Sequence, residues 1–201
     1  MKIEATKIAD VKLITPQKFG DERGFFSETY KANVFAEAGI GLNFIQDNHA
    51  FSQRQGVLRG LHFQWGKNVQ AKLIRCTKGA ILDVAVDIRH GSPSFGHHVA
   101  VELCAKNWHQ LLVPHGFAHA YCTLTPDAEV QYKVDGLYDP DHEGAVRWDD
   151  PALAIDWPIN SNDVTLSEKD KVAPLLKESP VYFRYKKGHG LFNCLCLDAP
   201  E

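Results

Sequence analysis

Residues 80–89 read AILDVAVDIR, and a period of two runs through them. Leu82, Val84, Val86 and Ile88 fall on one side of an extended chain, Ile81, Asp83, Ala85 and Asp87 on the other, so one face is apolar and the other carries two carboxylates. Runs of the same kind flank this one: VQAKLIRC at 69–76, HHVAVEL at 97–103, HQLLVP at 109–114, AHAYCTL at 118–124 and EVQYKVDGLY at 129–138. Turn signals such as Lys78-Gly79 and Gly91-Ser92-Pro93 separate them at intervals of about 8–12 residues, the spacing of an all-β sandwich or barrel. Helix signals are confined to two places. KANVFAEAG at 31–39 is closed by Gly39, and a Ser-x-x-Asp start at Ser167 and Asp170 precedes a helix expected over 171–177.

Composition agrees with a single β-rich domain. The chain has 201 residues, 44% hydrophobic and 23% charged, ordinary for a globular protein. We expect one domain over residues 1–185 and a frayed tail over 186–201. No apolar run approaches the roughly 20 residues of a membrane helix, and MKIEATKIADVKLI lacks a signal-peptide layout; a cytoplasmic location is expected. The net charge of −3 argues against general nucleic-acid binding but not against an anionic small molecule. Cys76, Cys104 and Cys122 lie within strand-like runs, as small buried hydrophobes do. An odd count of five without a CxxC pair speaks against a disulfide framework or a structural zinc site, and Cys194 and Cys196 alone are a poor metal site.

There is no GxxxxGK[ST], no strand-associated GxGxxG and no GxSxG elbow. Two other segments stand out: GVLRGLHFQ at 56–64, carrying Arg59 and His62, and PHGFAHA at 114–120, carrying His115 and His119. They resemble the two halves of the cupin signature, in which histidines on neighbouring strands point into a barrel. The metal-binding version has His-x-His followed by a glutamate. Here the first half reads His62-Phe63-Gln64 and the next inward polar candidate is Lys72, a cation where a metal would need a neutral or anionic donor. No metal is expected.

A pocket of histidine, lysine, tyrosine and arginine suits proton transfer beside a ketone. Histidine titrates near neutrality and can take the proton, and Lys72 can stabilise the enolate oxygen. A tyrosine such as Tyr132 can return a proton to the opposite face, and a carboxylate behind the histidine would orient its ring. Each residue also has a plain structural reading. A lone histidine in a β-rich core is more often just hydrogen-bonded, Lys72 could be an edge-strand charge, Tyr132 a rim aromatic and Asp170 a helix-start residue.

Longer stretches narrow the choice. FGDERGFFSE at 19–28, QDNHAFSQRQGVLRGLHFQ at 46–64, QAKLIRCTKGAILDVAVDIRHGSPSFG at 70–96, NWHQLLVPHGFAHAYCTL at 107–124, YKVDGLYDPDHEGAVRWDDPALAIDWP at 132–158 and LSEKD at 166–170 resemble the dTDP-4-dehydrorhamnose 3,5-epimerase family over about residues 8–177. The resemblance implies a mainly β, double-stranded β-helix (cupin or jelly-roll) fold and a homodimer whose N-terminal strands reach into the partner. It also implies no cofactor. Carried over by position, His62 is the base, paired with Asp170; Lys72 stabilises the enolate and Tyr132 is the acid. For the dTDP-sugar, the resemblance implies Arg23 and Glu28 from the partner subunit, with Phe19 and Phe25 nearby. Gln46, Asn48, Arg59 and His119 line the site, and Tyr138 lies against the thymine. Asp83 is a further pocket candidate, expected to contact His62 or Lys72.

The activity so implied converts dTDP-4-keto-6-deoxy-D-glucose to dTDP-4-keto-L-rhamnose, inverting carbons 3 and 5. The alternatives are an epimerase acting at one of those carbons in another deoxysugar pathway, a sugar 3,4-ketoisomerase and a non-catalytic nucleotide-sugar-binding cupin. The ketoisomerase matches LSEKD and VLRGLH poorly, and the non-catalytic protein would have a broken catalytic set.

Overall fold

The computed structural model describes residues 1–189 and 192–201. Fifteen strands are formed among them: β1 (Lys2–Ala5), β2 (Lys12–Thr15), β3 (Lys18–Asp21), β4 (Gly24–Ser27), β5 (Gln46–Ser52), β6 (Leu58–Gln64), β7 (Lys72–Lys78), β8 (Ala80–Asp87), β9 (His98–Cys104), β10 (Gln110–Val113), β11 (Phe117–Thr123), β12 (Ala128–Val134), β13 (Glu143–Ala145), β14 (Phe183–Tyr185) and β15 (Cys194–Cys196). The helices are α1 (Ala32–Glu37) and α2 (Glu168–Lys171). Neither is long and apolar enough to cross a membrane.

Two antiparallel sheets carry the architecture, one in the order β1-β2-β10-β7-β12-β5 and the other β13-β6-β11-β8-β9. From β5 to β13 the chain passes repeatedly from one sheet to the other, the winding expected of a double-stranded β-helix. The ladders leave both sheets with free edges, so the barrel is closed by packing between the sheets.

The alternation within 80–89 now has a direction. Ile81 and Ala85 enter the interior cluster between the sheets, with Ile74, Leu103, Leu111, Phe117 and Val130. Val84, Val86 and Ile88 point the other way, into a second cluster with Leu61, Phe63, Val146 and Phe183 that covers the outside of the smaller sheet. Asp83 is therefore on the interior side, completely buried. A third cluster, of Ile14, Phe35, Leu73 and Leu112, seats α1 against the larger sheet.

The C-terminal end of α1 follows from its sequence. Gly39 takes the left-handed φ of 77°, its N–H bonds to Ala36 O at 2.9 Å, and the N–H of Ile40 reaches Phe35 O at 2.8 Å. These are the two bonds of a Schellman ending.

Two expectations are corrected. The helix expected over 171–177 is the single turn Glu168–Lys171, started by Ser167 as N-cap; Pro174 bars its continuation because proline lacks the donor and disfavours helix in the residue before it. Among its described residues, the tail is not frayed. β15 pairs with β14, with Phe183 opposite Cys196 and Tyr185 opposite Cys194, and Phe192 is buried in the third cluster. Apolar side chains at 192, 194 and 196 recover enough burial to offset the ordering entropy.

β6 and β11 approach closely at Gly60, whose φ is 125°; a Cβ there would lie 2.5 Å from both the His119 carbonyl oxygen and the Ala120 Cβ. Gly60→Ala should therefore cost roughly 2 kcal/mol or more, from left-handed strain and overpacking together. Thermal unfolding would read this as a midpoint lowered by several degrees; an unchanged midpoint would mean the strands do not meet this tightly.

Candidate active site

One end of the interior is hollow, a cavity of about 530 Å³. His62, Arg59, His119 and Tyr121 reach it from the smaller sheet, Gln46, Asn48, Lys72 and Tyr132 from the larger one. Strand register makes the placement. His62 lies opposite His119 on β11, and Tyr132 lies opposite Asn48 on β5. Along β5, Gln46, Asn48 and Ala50 are partly buried while Asp47, His49 and Phe51 are exposed, so strand alternation presents Gln46 and Asn48 to the cavity and keeps their neighbours outside.

His62 is held from behind. Its Nε2 meets Asp170 Oδ1 at 2.5 Å. Ser167 Oγ donates to Asp170 Oδ2 at 2.7 Å, and the Asp170 N–H donates to Ser167 Oγ at 3.3 Å. The hydroxyl that caps α2 thus also orients the carboxylate. Burial pushes the Asp170 pKa up, but the hydrogen bond and charge of His62, with Ser167 and Lys169, bring it below the usual carboxylate value. An ionised Asp170 can only accept, which assigns the His62 proton to Nε2. Nδ1 keeps its lone pair and has no partner among the described residues.

A second pair lies beside the first. His119 Nε2 meets Asp83 Oδ1 at 2.7 Å. Burial lowers the His119 pKa, opposed by the Asp83 charge and hydrogen bond, which favours a neutral ring. The expected contact of Asp83 with His62 or Lys72 is thus corrected: its hydrogen bond goes to His119, because Asp83 pairs across the sheet with β11. Lys72 feels Asp83 through its field. Desolvation brings the lysine pKa down to about 8, with Asp83 and Glu143 opposing. Burial also raises the Tyr132 pKa, with Arg59 opposing, so its hydroxyl keeps its proton at neutral pH.

The rim holds the remaining polar groups. Gln46 Nε2 donates to Asn48 Oδ1 at 2.8 Å, and Arg59 leans on the Phe51 carbonyl at 3.2 Å. Tyr138 is 58% exposed and its hydroxyl approaches Glu143 Oε2 at 3.4 Å; Lys169 reaches Glu143 Oε1 at 2.7 Å. Gln70, Tyr121, Glu143, Ser167 and Lys169 line the cavity although sequence reasoning did not single them out. A signal was present for two of them: Tyr121 is two residues from His119 on one strand, hence on its face, and Lys169 adjoins Asp170.

Four expected residues are elsewhere. Phe19, Arg23 and Phe25 sit on the two-stranded β3–β4 hairpin, and Glu28 follows it. Arg23 pairs with Asp21 and Glu28 with Lys31, all four exposed, and none of the expected residues lines this chain's own cavity. His115, next to the second histidine motif, pairs with Asp135 at 2.8 Å, away from the cavity lining.

The family model described as dTDP-4-dehydrorhamnose 3,5-epimerase matches residues 5–178. The chain belongs to that family. It is 48% identical over 187 residues to the dTDP-4-dehydrorhamnose 3,5-epimerase of Sinorhizobium fredii, covering 93% of this chain and 95% of the relative. It is 49% identical over 180 residues to the enzyme of that name from Salmonella typhimurium, covering 89% and 97%. Among solved structures, dTDP-6-deoxy-D-glucose-3,5-epimerase from Legionella pneumophila, crystallised with dTDP-4-keto-L-rhamnose, superposes with a TM-score of 0.84 at 45% identity, over 88% of this chain and 93% of that one. The cupin-type fold expected from the sequence is thus the fold of the family, and His62, Lys72, Tyr132 and Asp170 fall within the matched span.

The depressed lysine makes a stability prediction. Folded Lys72 titrates at about 8 against an ordinary 10.5, so between those values the unfolded chain binds more protons and stability rises with pH. Lys72→Met removes this dependence. The advantage of Lys72→Met in unfolding free energy, read by denaturant titration, should be largest below pH 8 and shrink toward pH 10. A difference independent of pH would mean that Lys72 is not desolvated.

Proposed function

We propose that this chain epimerises dTDP-4-keto-6-deoxy-D-glucose at carbons 3 and 5, giving dTDP-4-keto-L-rhamnose. The observation that carries this reading is the placement of His62 and Tyr132 on opposing sheets of one cavity. Inversion requires removal of a proton from one face of a carbon and delivery to the other. A base and an acid on facing walls meet that need without turning the substrate over.

Both reacting carbons flank the C4 carbonyl, so one electrostatic arrangement serves both. His62 Nδ1 takes the proton, and Asp170 stabilises the imidazolium that forms, as a carboxylate behind a histidine does. Electron density moves to O4, where the Lys72 ammonium is the available cation; a pre-oriented charge in a desolvated site stabilises an enolate far better than water does. Tyr132 then donates its phenolic proton to the opposite face of the carbon. No bound metal is required, since lysine supplies the positive charge.

Neutral His119, holding its proton toward Asp83, offers the other ring nitrogen as an acceptor for a sugar hydroxyl. Arg59, Gln46 and Asn48 at the rim suit the polar groups of the nucleotide sugar, and exposed Tyr138 suits the face of the base. We further propose a cytoplasmic homodimer in which the β3–β4 hairpin completes the partner's cavity. Phe19, Phe25 and Phe26 are 51%, 54% and 66% exposed, an apolar surface on a hairpin that presents Arg23 at its turn. In the dimer Arg23 would neutralise the diphosphate and Glu28 would accept from the nucleotide sugar.

Incubation with the 4-keto sugar in heavy water tests the reaction by mass spectrometry. Two deuterons per product molecule are expected, and none with His62→Asn. One deuteron would reassign the chain to single-carbon epimerisation; none from the folded parent would leave a nucleotide-sugar-binding protein. In Tyr132→Phe, exchange should persist while formation of the doubly inverted product falls roughly 100-fold or more, the usual value of a positioned acid. Normal formation of that product in Tyr132→Phe would place the acid on another residue.

A further inference from the structure

The segment beyond the family match, which ends at residue 178, packs against the underside of the cavity rim. Tyr182 meets the Phe63 ring edge-on with centroids 5.0 Å apart and the Trp65 ring at 5.4 Å. The Trp65 ring in turn lies 4.6 Å from the His142 ring, and the Trp65 backbone N–H donates to the His142 carbonyl at 3.0 Å. His142 Nδ1 bonds Asp139 Oδ2 at 2.9 Å. A second route starts at Cys196, whose Sγ accepts from the Gly66 N–H at 3.0 Å. Gly66 begins the turn that ends in Asn68, and Asn68 Nδ2 donates to the same Asp139 oxygen at 2.7 Å. Gln64 Oε1 fixes the Asp139 backbone N–H at 2.9 Å.

Both routes converge on Asp139, the residue after Tyr138. Among the described residues, Tyr138 makes one side-chain hydrogen bond, from its hydroxyl to Glu143 Oε2 at 3.4 Å, so the backbone on either side sets its place over the cavity. Asp139 and His142 provide that backbone with its fixed points, and both are linked to the C-terminal segment, through Trp65 to Tyr182 and through Asn68 and Gly66 to Cys196. We propose that Tyr182 and Cys196 are positioning residues for Tyr138, holding the nucleotide-facing rim in its binding geometry without touching the ligand. This rests on the reading of Tyr138 as the partner of the base. The C-terminal hairpin thereby tunes affinity for the nucleotide, while the His62–Asp170 pair and Tyr132, on other elements, keep the chemistry.

Titration calorimetry with dTDP and steady-state kinetics on the full chain separate this role from general stabilisation. Tyr182→Ala should raise the Kd for dTDP and the KM for the sugar nucleotide roughly threefold to tenfold, the range of one lost edge-to-face contact, with kcat within about twofold. Tyr182→Phe, which keeps the ring and loses only a hydroxyl that has no hydrogen-bond partner among the described residues, should restore parental values. If Tyr182→Ala does not fold, Tyr182→Leu keeps the apolar volume and should show the same direction of change. Tyr138→Ala sets the reference loss. Weakened dTDP binding in Tyr138→Ala with parental binding in a folded Tyr182 variant overturns the positioning role alone, even where the melting midpoint falls. Parental dTDP binding in Tyr138→Ala removes the reading of Tyr138 itself, and the inference with it.

Discussion

Two carboxylates lie almost completely out of water at one end of this protein, Asp170 with 2% of its surface exposed and Asp83 with none. An unpaired buried charge is prohibitively unfavourable, so each demands a partner. Each has a histidine, at 2.5 Å and 2.7 Å respectively. The two pairs behave differently because their surroundings differ. Asp170 is supported by Ser167 and lies beside Lys169, which keeps it ionised and lets it sustain a charged His62. Asp83 is sealed between strands, and the burial that encloses His119 favours its neutral ring. In the proposed reaction, two similar pairs would thus serve as a proton acceptor and a polar contact.

Winding the chain between two sheets does the remaining work. From β5 to β13 consecutive strands other than β8 and β9 fall in different sheets, so β6 brings His62 to one side while β7 and β12 bring Lys72 and Tyr132 to the other. Strand alternation then sorts each run into cavity and solvent positions without further specification. The conformational freedom of Gly60 is needed here, because a side chain at position 60 would push β6 off β11. Tight packing of the scaffold is what permits a preorganised set of polar groups at its open end.

Much of this was legible in the primary structure. The period of two in AILDVAVDIR and its neighbours requires strands, and the turn spacing requires a sandwich or barrel. The long motifs shared with the family pointed to His62, Lys72, Tyr132 and Asp170, which the structure gathers around one cavity. Local rules also read the C-terminal end of α1 correctly, since Gly39 closes it through bonds only a few residues long. They failed for the extent of the helix expected over 171–177, because Ser167 starts a turn at Glu168 that Pro174 stops from continuing. They failed again for the C-terminal residues, because the partners that order Phe192, Cys194 and Cys196 lie far away in sequence.

What the sequence by itself determined is therefore whatever depends on neighbours: strand periodicity, caps, turns and the chemical types available for catalysis. Which carboxylate meets which histidine was decided by the tertiary structure alone, because strand register and the entry of α2 set distances that residue spacing does not encode. The same holds for the depressed pKa of Lys72, which arises from desolvation within an assembled cavity. It holds too for the rim at Tyr138, whose supports at 64–68, 139–142, 182 and 196 come together only when the two sheets and the C-terminal hairpin have packed.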